Sequence, residues 1–358
     1  MNASLQSSPH LNALTSLRGL AAWWVVLYHT RSVLEPYVLE PVMAFLRNGD
    51  LAVDMFFVLS GFVMYLNYSD KIGKPFSSIS DFLYKRFARV YPLHIFLLIL
   101  FLVYFSIFSL FSGKFPDKET YSYFIQSVFL VQNWGFSNGL QWNVPAWSIS
   151  TEFFAYLCFP VLVFFVKARE WPTWMLGGVL VAIALGLHLY FQALGLNFAG
   201  GIERTGLLRC VAQFLMGMIL CVIYLRDERE STLKIAALLS IAALFITIRA
   251  LDKQAPVIPL IWVSLILGFA LWRRANPLAY RPLVWLGDIS YATYLCHYLG
   301  FIAFKHVFVK AGEVTPLWLV MGFYLGLLIA SHLLFRYIEK PAQRWLLRRR
   351  TRLQPVRV

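Results

Sequence analysis

Long apolar stretches alternate with short polar connections along the whole 358-residue chain. A stretch of about 18 residues or more can cross a bilayer as a helix, because each residue adds about 1.5 Å. Ten such stretches predict membrane spans at residues 12–30, 50–68, 90–111, 149–166, 174–193, 206–225, 232–249, 256–273, 285–308 and 316–337. The pattern therefore predicts an all-α polytopic membrane protein, a bundle of about ten transmembrane helices.

The composition and charge support this prediction and suggest an orientation. Hydrophobic residues make up 59% of the chain and charged residues only 14%. A net charge of +14 could indicate nucleic acid, but in a membrane protein basic excess marks the cytoplasmic loops. With both termini inside, the cytoplasmic segments hold 22 of the 32 Lys and Arg residues. The sequence thus predicts an N-in, C-in protein among membrane lipids, with no nucleic-acid partner.

Two segments outside the spans stand out. The longest connection, residues 112–148, is rich in aromatic residues and contains an apolar stretch at 124–131 that is too short to span. We expect a re-entrant or interfacial helix there, on the outer side. The run at 346–358, "LLRRRTRLQPVRV", is expected to be a basic cytoplasmic tail that serves as a positive-inside anchor.

The cysteine pattern gives no sign of disulfides or of a metal site. All four cysteines lie within apolar runs, and none forms a CxxC pair. We expect small buried side chains at Cys158, Cys210, Cys221 and Cys296.

The first predicted span, "LTSLRGLAAWWVVLYHT", contains an arginine and a histidine. Ionisable residues inside a span are costly and therefore suggest function. Arg18 and His29 are eleven residues apart, which in a helix is about 16 Å along the axis and within about 20° of one face. Both side chains are thus expected to face the same neighbour, with Arg18 near the cytoplasmic end and His29 further out.

An arginine pair precedes the third span, in "YKRFARVYP". Arg86 and Arg89 are three residues apart and share one helical face. They could be a plain cytoplasmic charge cluster. They could also bind phosphates, because guanidinium groups form bidentate contacts with phosphate oxygens.

Polar side chains also lie at the start of the fourth span, "VPAWSISTEFFAY". Ser148 and Glu152 are four residues apart and share a face, with Glu152 just inside the apolar region. Glu152 could be a structural carboxylate paired with an arginine. It could instead orient a reacting group, with Arg18 or a substrate hydroxyl as its partner.

Two further polar patterns, in the second and the ninth span, have simple structural interpretations. The second span, "VDMFFVLSGFVM", carries Asp54 and the pair Ser60-Gly61, and a glycine there could simply allow close helix packing. In the ninth span, "GDISYATYLCHY", a polar stripe is formed by Ser290, Tyr294 and His297. Hydrogen bonding between helices would account for such a stripe.

Together these groups outline a possible reaction. A phosphate-bearing donor would bind at the inner arginines, and His29 could act as a general base on an acceptor hydroxyl. The residues do not exclude a proton-coupled transporter, in which Glu152 and His29 would form a relay.

Six segments carry a resemblance to a known family. In order, they are the Arg18/His29 pair, "FFVLSGF" at 56–62, "KRFARVYP" at 85–92, "WSISTEF" at 147–153, "ISYATYLCH" at 289–297 and "YIEKPAQRW" at 337–345. Through them the chain resembles the acyltransferase family 3 membrane proteins, which include bacterial O-acetyltransferases of surface polysaccharides. It departs in "LTSLRG", where the family often has an Asp, and in the "FFA" that follows Glu152.

The resemblance implies a site and its substrates. His29 would be the catalytic histidine with Arg18 as its motif partner, Arg86 and Arg89 would hold CoA, and Glu152 would be the functionally important glutamate. Serine and tyrosine hydroxyls are expected as substrate-contacting or supporting groups: Ser60, Ser148, Ser290, Tyr291 and Tyr294. Acetyl-CoA or another acyl-CoA is expected as the donor substrate, with no permanently bound cofactor and no metal.

The resemblance also implies an architecture and a reaction. Residues 1–345 would form a membrane acyltransferase domain of the inner (plasma) membrane. The expected enzyme moves an acyl group, acetyl above all, to a hydroxyl of an exported or surface glycan or lipid-linked sugar. Two alternatives stay open: a non-enzymatic carrier or flippase for a glycan intermediate, and O-acylation of a small hydrophobic acceptor such as a macrolide.

Overall fold

A computed structural model describes residues 9–72, 77–113, 117–166, 171–226, 257–272 and 275–353. Its α-helices are α1 (Pro9–Leu34), α2 (Glu40–Leu46), α3 (Ala52–Tyr68), α4 (Ser77–Ser112), α5 (Lys118–Val128), α6 (Trp147–Val166), α7 (Thr173–Ala193), α8 (Ile202–Tyr224), α9 (Ile258–Leu271), α10 (Arg281–Asp288), α11 (Ser290–Phe308), α12 (Leu317–Leu334) and α13 (Lys340–Leu353). A π-helical turn, Phe335–Glu339, joins α12 to α13. The regular elements in this part of the chain are helices, which confirms the all-α class.

Several of these helices can cross a membrane. Within the described residues, 6 helical stretches are long and apolar enough. They are Glu40–Tyr68, Ile79–Phe111, Val144–Val166, Thr173–Ala193, Ile202–Tyr224 and Leu317–Arg350. These stretches confirm a membrane protein. The span predicted at 232–249 lies outside the described residues, and the total of ten spans and the orientation stay predictions.

The third span begins earlier than predicted. Helix α4 has 36 residues and begins at Ser77, so both arginines of "YKRFARVYP" lie within the helix of the third span rather than before it. A search for apolar runs does not include the first turns of α4 in the span, because these turns are polar. They pack on α13 instead of on lipid. The Tyr84 hydroxyl donates to the Leu346 carbonyl at 2.9 Å, and Arg350 lies 2.9 Å from the Asp81 carboxylate.

The predicted ninth span consists of two helices, α10 and α11, which meet at Ile289. A close backbone contact holds α10 against α1. A Cβ atom added at Gly287 would lie 1.9 Å from the Thr15 carbonyl oxygen, and one at Gly19 would lie 2.6 Å from the Gly287 nitrogen. Only glycine allows this approach, and it brings the first half of α1 to the start of α11.

Close packing also joins α3 to α8. A Cβ atom added at Gly61 would lie 1.9 Å from the Phe214 carbonyl oxygen, and one at Gly217 would lie 1.9 Å from that of Val58. Small residues let helices approach closely inside a membrane, where van der Waals contact drives their association. The packing interpretation of Gly61 is therefore confirmed.

A buried ion pair lies in the same interface. Arg209 of α8 donates from Nε and Nη2 to the two Asp54 oxygens at 2.6 and 2.5 Å, and Gln213 adds a third donor at 2.5 Å. Asp54 is 0% exposed and Arg209 1%. Each charge is thus neutralised and hydrogen-bonded at a buried position where an unpaired charge would be strongly destabilising.

The remaining expectations concern the outer connection and the cysteines. An 11-residue helix, α5, lies in the long connection and begins before the apolar stretch at 124–131. Asp117 caps it by accepting from the Thr120 N–H at 2.8 Å.

The four cysteines are free, and three of them are buried, whereas Cys158 is partly exposed.

Candidate active site

A cavity of about 320 Å³ lies between α1, α3, α4, α6 and α11. Nine predicted site residues line it: Arg18, Ser60, Arg86, Arg89, Ser148, Glu152, Ser290, Tyr291 and Tyr294. His29 is not among the lining residues. The cavity lies toward the end of the bundle where α1 and α4 begin and α3 ends. Residues from five helices, far apart in the sequence, thus form one concave and partly polar site.

Arg18 is held by the start of α11. Its Nε donates to the Ser290 hydroxyl at 3.1 Å and its Nη2 to the Gly287 carbonyl at 3.0 Å. The Ser290 hydroxyl itself donates to the Gly287 carbonyl at 2.7 Å. These contacts follow from the glycine contact between α1 and α10, and they fix the guanidinium at the cavity wall.

Glu152 has a hydroxyl partner rather than an arginine. The Tyr156 hydroxyl, one turn later on α6, donates to Glu152 Oε1 at 2.6 Å. Because Tyr156 gives its single proton to that carboxylate, Ser60 is the donor in its 3.3 Å contact with the Tyr156 hydroxyl. A hydroxyl chain thus orients Glu152 inside the cavity, whereas Arg18 donates elsewhere.

The two arginines of α4 differ in their partners. Arg89 forms an ion pair with Glu339 of the π-helical turn, and its guanidinium lies 5.6 Å from the centre of the Tyr291 ring. Arg86 donates to the Tyr68 hydroxyl at 3.2 Å, and its buried Nε has no hydrogen-bond partner among the described residues. The shared face predicted for the pair is confirmed, since both line the cavity.

Hydroxyl groups close the side of the cavity between α6 and α11. The Ser148 and Tyr294 hydroxyls lie 2.8 Å apart, and each is within hydrogen-bond distance of the Pro145 carbonyl oxygen, at 3.1 and 3.0 Å. Because each hydroxyl has a single proton, one of them donates to Pro145 and the other to its neighbouring hydroxyl. The Tyr291 hydroxyl donates to the Val90 carbonyl at 2.6 Å. Ser290 and Tyr294 of the α11 stripe therefore form the interhelical hydrogen bonds expected of them and line the cavity, whereas His297 bonds within α11 and is not a lining residue.

His29 lies three turns beyond Arg18 on the same helix. Its ring centroid is 5.2 Å from that of His297 and 5.4 Å from that of Tyr298, both on α11. Arg18 meets the same helix at Ser290. As their spacing predicts, the two residues face one neighbour, but at different levels of the bundle.

Several residues of the site were not assigned from the sequence. Tyr156 follows Glu152 by four positions, so helical spacing was a usable signal. Glu339 lies in the segment "YIEKPAQRW", directly after an apolar run. The intramembrane Arg209 was a signal for a partner to Asp54, although only the packed helices show that the two meet.

The charges of the cavity favour an anionic ligand. Its lining contains three arginines and one glutamate, and a second glutamate, Glu339, pairs with Arg89. Cationic groups in a cleft with low-dielectric walls raise the local concentration of anions. Of the remaining 17 lining residues, 9 are apolar, and these suit the uncharged part of such a ligand.

A helical membrane bundle with a basic, hydroxyl-rich cavity, and with a histidine three turns further along one of its helices, fits a membrane transferase. The family model described as an acyltransferase domain matches residues 11–336, so the chain belongs to the acyltransferase 3 family and is an O-acyltransferase. Acyltransferase MdmB of Streptomyces mycarofaciens is 27% identical over 379 residues, which cover 95% of this chain and 93% of MdmB. No solved structure matches the chain.

Two O-acetyltransferases are also similar. Peptidoglycan O-acetyltransferase OatA of Listeria monocytogenes is 24% identical over 377 residues, 94% of this chain and 56% of that protein. O-acetyltransferase OatA of Staphylococcus aureus is 24% identical over 374 residues, 95% of this chain and 58% of that protein. The chain thus spans little more than half the length of these two relatives.

Proposed function

We propose that this protein transfers an acyl group, above all acetyl, from acyl-CoA to a hydroxyl of an exported or cell-surface glycan. The cavity that gathers Arg18, Arg86, Arg89 and Glu152 is the observation that carries the proposal. Two relatives are named O-acetyltransferases, one of peptidoglycan, which supports acetyl as the group and a glycan as the acceptor.

The donor is assigned to the arginine end of the cavity. In the N-in orientation this end faces the cytoplasm, where the phosphates of acyl-CoA meet Arg86 and Arg89. The volume of about 320 Å³ is at the lower end for ligand pockets, about 300–1,000 Å³. The cavity therefore receives the thioester arm of the donor, and the nucleotide part lies at its mouth.

The chemistry is assigned to His29. Its imidazole takes the proton of the acceptor hydroxyl while the oxygen attacks the thioester carbonyl. The carbon–oxygen bond forms, the carbon–sulfur bond breaks, and CoA leaves as the thiolate that is then protonated. The roughly 16 Å along α1 between Arg18 and His29 separates the charged end of the donor from the reacting end.

The same proposal places the protein in the inner (plasma) membrane as a multi-pass protein. Ten spans with both termini inside put the cavity mouth on the cytoplasmic side and His29 toward the outer half. A donor made in the cytoplasm and an acceptor outside it would then meet within the bundle.

Release of the CoA thiol by the purified protein tests this function. Wild type and His29→Gln are assayed in detergent with acetyl-CoA, with glycan oligosaccharides or with small apolar alcohols as acceptors. We expect thiol release that needs both a glycan and His29. A carrier or flippase would leave the thioester intact. Thiol release that responds only to the apolar alcohols would show that the acceptor is a small apolar molecule rather than a glycan.

A further inference from the structure

His297 is fully buried in α11, and its two ring nitrogens have different surroundings. Nδ1 lies 2.7 Å from the Tyr294 carbonyl oxygen. A carbonyl oxygen only accepts hydrogen bonds, so Nδ1 carries the proton. In the neutral imidazole, Nε2 then presents a lone pair. This nitrogen is buried and has no hydrogen-bond partner among the residues that the structure describes.

His29 is the neighbour that can donate to this lone pair. The two ring centroids are 5.2 Å apart and the ring planes are inclined by 43°. Two imidazoles joined by one N–H···N bond have this separation, since about 2.9 Å lies between the nitrogens and about 1.2 Å from each nitrogen to its ring centre. His29 is half-buried, with Tyr28 and Tyr298 in edge contact with its ring. The proposed bond needs the His29 N–H to face this lone pair, which the ring reaches by rotation about its Cβ–Cγ bond.

The position of His297 is set by the helix that lines the cavity. Its Nδ1–H contact to Tyr294 is a bond within α11, and the Tyr294 hydroxyl is tied to Ser148 and to the Pro145 carbonyl across the bundle. The direction of the Nε2 lone pair is therefore fixed, because α11 holds the His297 ring in place. Such fixed partners are what a mobile general base needs to keep one tautomer.

We propose that His297 is a positioning residue, whose Nε2 accepts the N–H of His29 and so directs the other His29 nitrogen toward the acceptor hydroxyl. This assignment rests on the proposed function, because it needs His29 to be the base. During transfer the hydroxyl proton moves to His29, and His297 keeps its own proton on Nδ1. The hydrogen bond becomes charge-assisted as His29 turns into an imidazolium, which stabilises that state.

Kinetics of two His297 variants test the proposal. His297→Phe keeps a flat ring but has no acceptor, so we expect kcat to fall about 100-fold while the KM for acetyl-CoA is unchanged. His297→Gln retains an acceptor oxygen and should recover much of this loss. In a His29→Gln background, His297→Phe should lower the residual rate no further, because its partner is already absent.

A matched control is a second buried histidine on a neighbouring helix. His94 of α4 is 1% exposed, its Nε2 lies 2.8 Å from the Ser127 carbonyl, and its buried Nδ1 has no hydrogen-bond partner among the described residues. His94→Phe should leave kcat at the wild-type value. A purely structural role for His297 predicts instead that the His94 and His297 variants lose melting temperature and activity in parallel.

A readout that needs no turnover separates this proposal from the proposed function. Nitrogen NMR of the histidine-labelled protein in detergent, assigned with His29→Gln, should show His29 in one tautomer in wild type and in a mixture in His297→Phe. The His297 Nε2 signal should also shift in His29→Gln, which tests the contact even if His297→Phe fails to fold. Unchanged signals, or an unchanged kcat in folded His297→Phe, would overturn the proposal. Absence of thiol release in wild type would instead overturn the acyl transfer.

Discussion

Arg89 and Glu339, 250 positions apart in the chain, form an ion pair at the wall of the cavity. Glu339 ends the π-helical turn and is 1% exposed. Arg86, one turn before Arg89, shares its face but donates to the neutral Tyr68 hydroxyl. Within one arginine motif, one guanidinium thus has an acidic partner in the protein, whereas the other contacts a neutral hydroxyl.

We therefore expect the two arginines to differ in their contribution to CoA binding. A hydrogen bond to a charged group contributes about 1.5–3 kcal/mol, so Arg86→Ala should weaken CoA binding about 10- to 150-fold. Arg86→Lys should rescue it only in part, because lysine lacks the bidentate fork. Calorimetry in detergent measures the CoA affinity of both variants. A wild-type affinity in Arg86→Ala would contradict the assignment of the donor site.

Arg89→Ala should weaken CoA binding less than Arg86→Ala does and should also lower the stability of the fold. It leaves the buried Glu339 carboxylate without its cation, which costs about 3 kcal/mol in a pair of this kind. The melting temperature should fall, and a second change, Glu339→Gln, should restore much of it by removing the unpaired charge. If Arg89→Ala melts like the wild type while Glu339→Gln alone destabilises, the pair does not stabilise the fold in this way.

His29 variants separate catalysis from folding. General-base catalysis supplies about 10²- to 10⁴-fold, so His29→Ala and His29→Gln should lose nearly all transfer. CoA binding should stay at the wild-type level, because His29 lies outside the cavity lining. A histidine that only bridges helices would cost on the order of 1 kcal/mol of stability instead. Near-wild-type turnover in either variant would refute the assignment of the base.

The role of Glu152 can be tested against that of its partner. Glu152→Gln keeps an oxygen that accepts from Tyr156 but removes the charge, so we expect strong loss of transfer in a protein that still inserts and is monodisperse. Tyr156→Phe removes only the donor that orients the carboxylate and should have the smaller effect. Full activity of a well-folded Glu152→Gln variant would make Glu152 a structural residue.

The buried pair between α3 and α8 is expected to stabilise the bundle. Asp54→Asn or Arg209→Ala leaves one buried charge uncompensated, which costs about 3–5 kcal/mol. The exposed pair Arg47–Glu40 is the matched control, and Glu40→Ala should cost less than about 1 kcal/mol. Melting curves in one detergent compare the variants of the two pairs. Equal losses of melting temperature would show that burial does not determine how much each ion pair stabilises the protein.

The contact between α3 and α8 offers a second test of packing. Gly61→Ala places a methyl group 1.9 Å from the Phe214 carbonyl oxygen, so the helices must separate and stability should fall. At Gly186 of α7 nothing lies within 4 Å of an added Cβ atom, so Gly186→Ala should be neutral or slightly stabilising. A stable, fully active Gly61→Ala variant would contradict the close contact.

The sequence by itself was sufficient for the properties that depend on local pattern. Apolar length decides whether a helix can cross a bilayer, so the all-helical membrane class followed from the runs of apolar residues. Helical periodicity likewise placed Arg18 and His29 on one face, and Arg86 with Arg89 on another. For the glycine in "LSGF", close packing was one of the possible interpretations, but its partner helix could not be identified from the sequence.

Tertiary structure decided which of these faces meet. The Arg89–Glu339 and Arg209–Asp54 pairs join residues 250 and 155 positions apart, and no local period relates such positions. The start of α4 was missed for the same reason, since its polar turns are covered by α13 rather than by lipid. Only the packed bundle shows a cavity shared by five helices, because its shape depends on side chains from all of them at once.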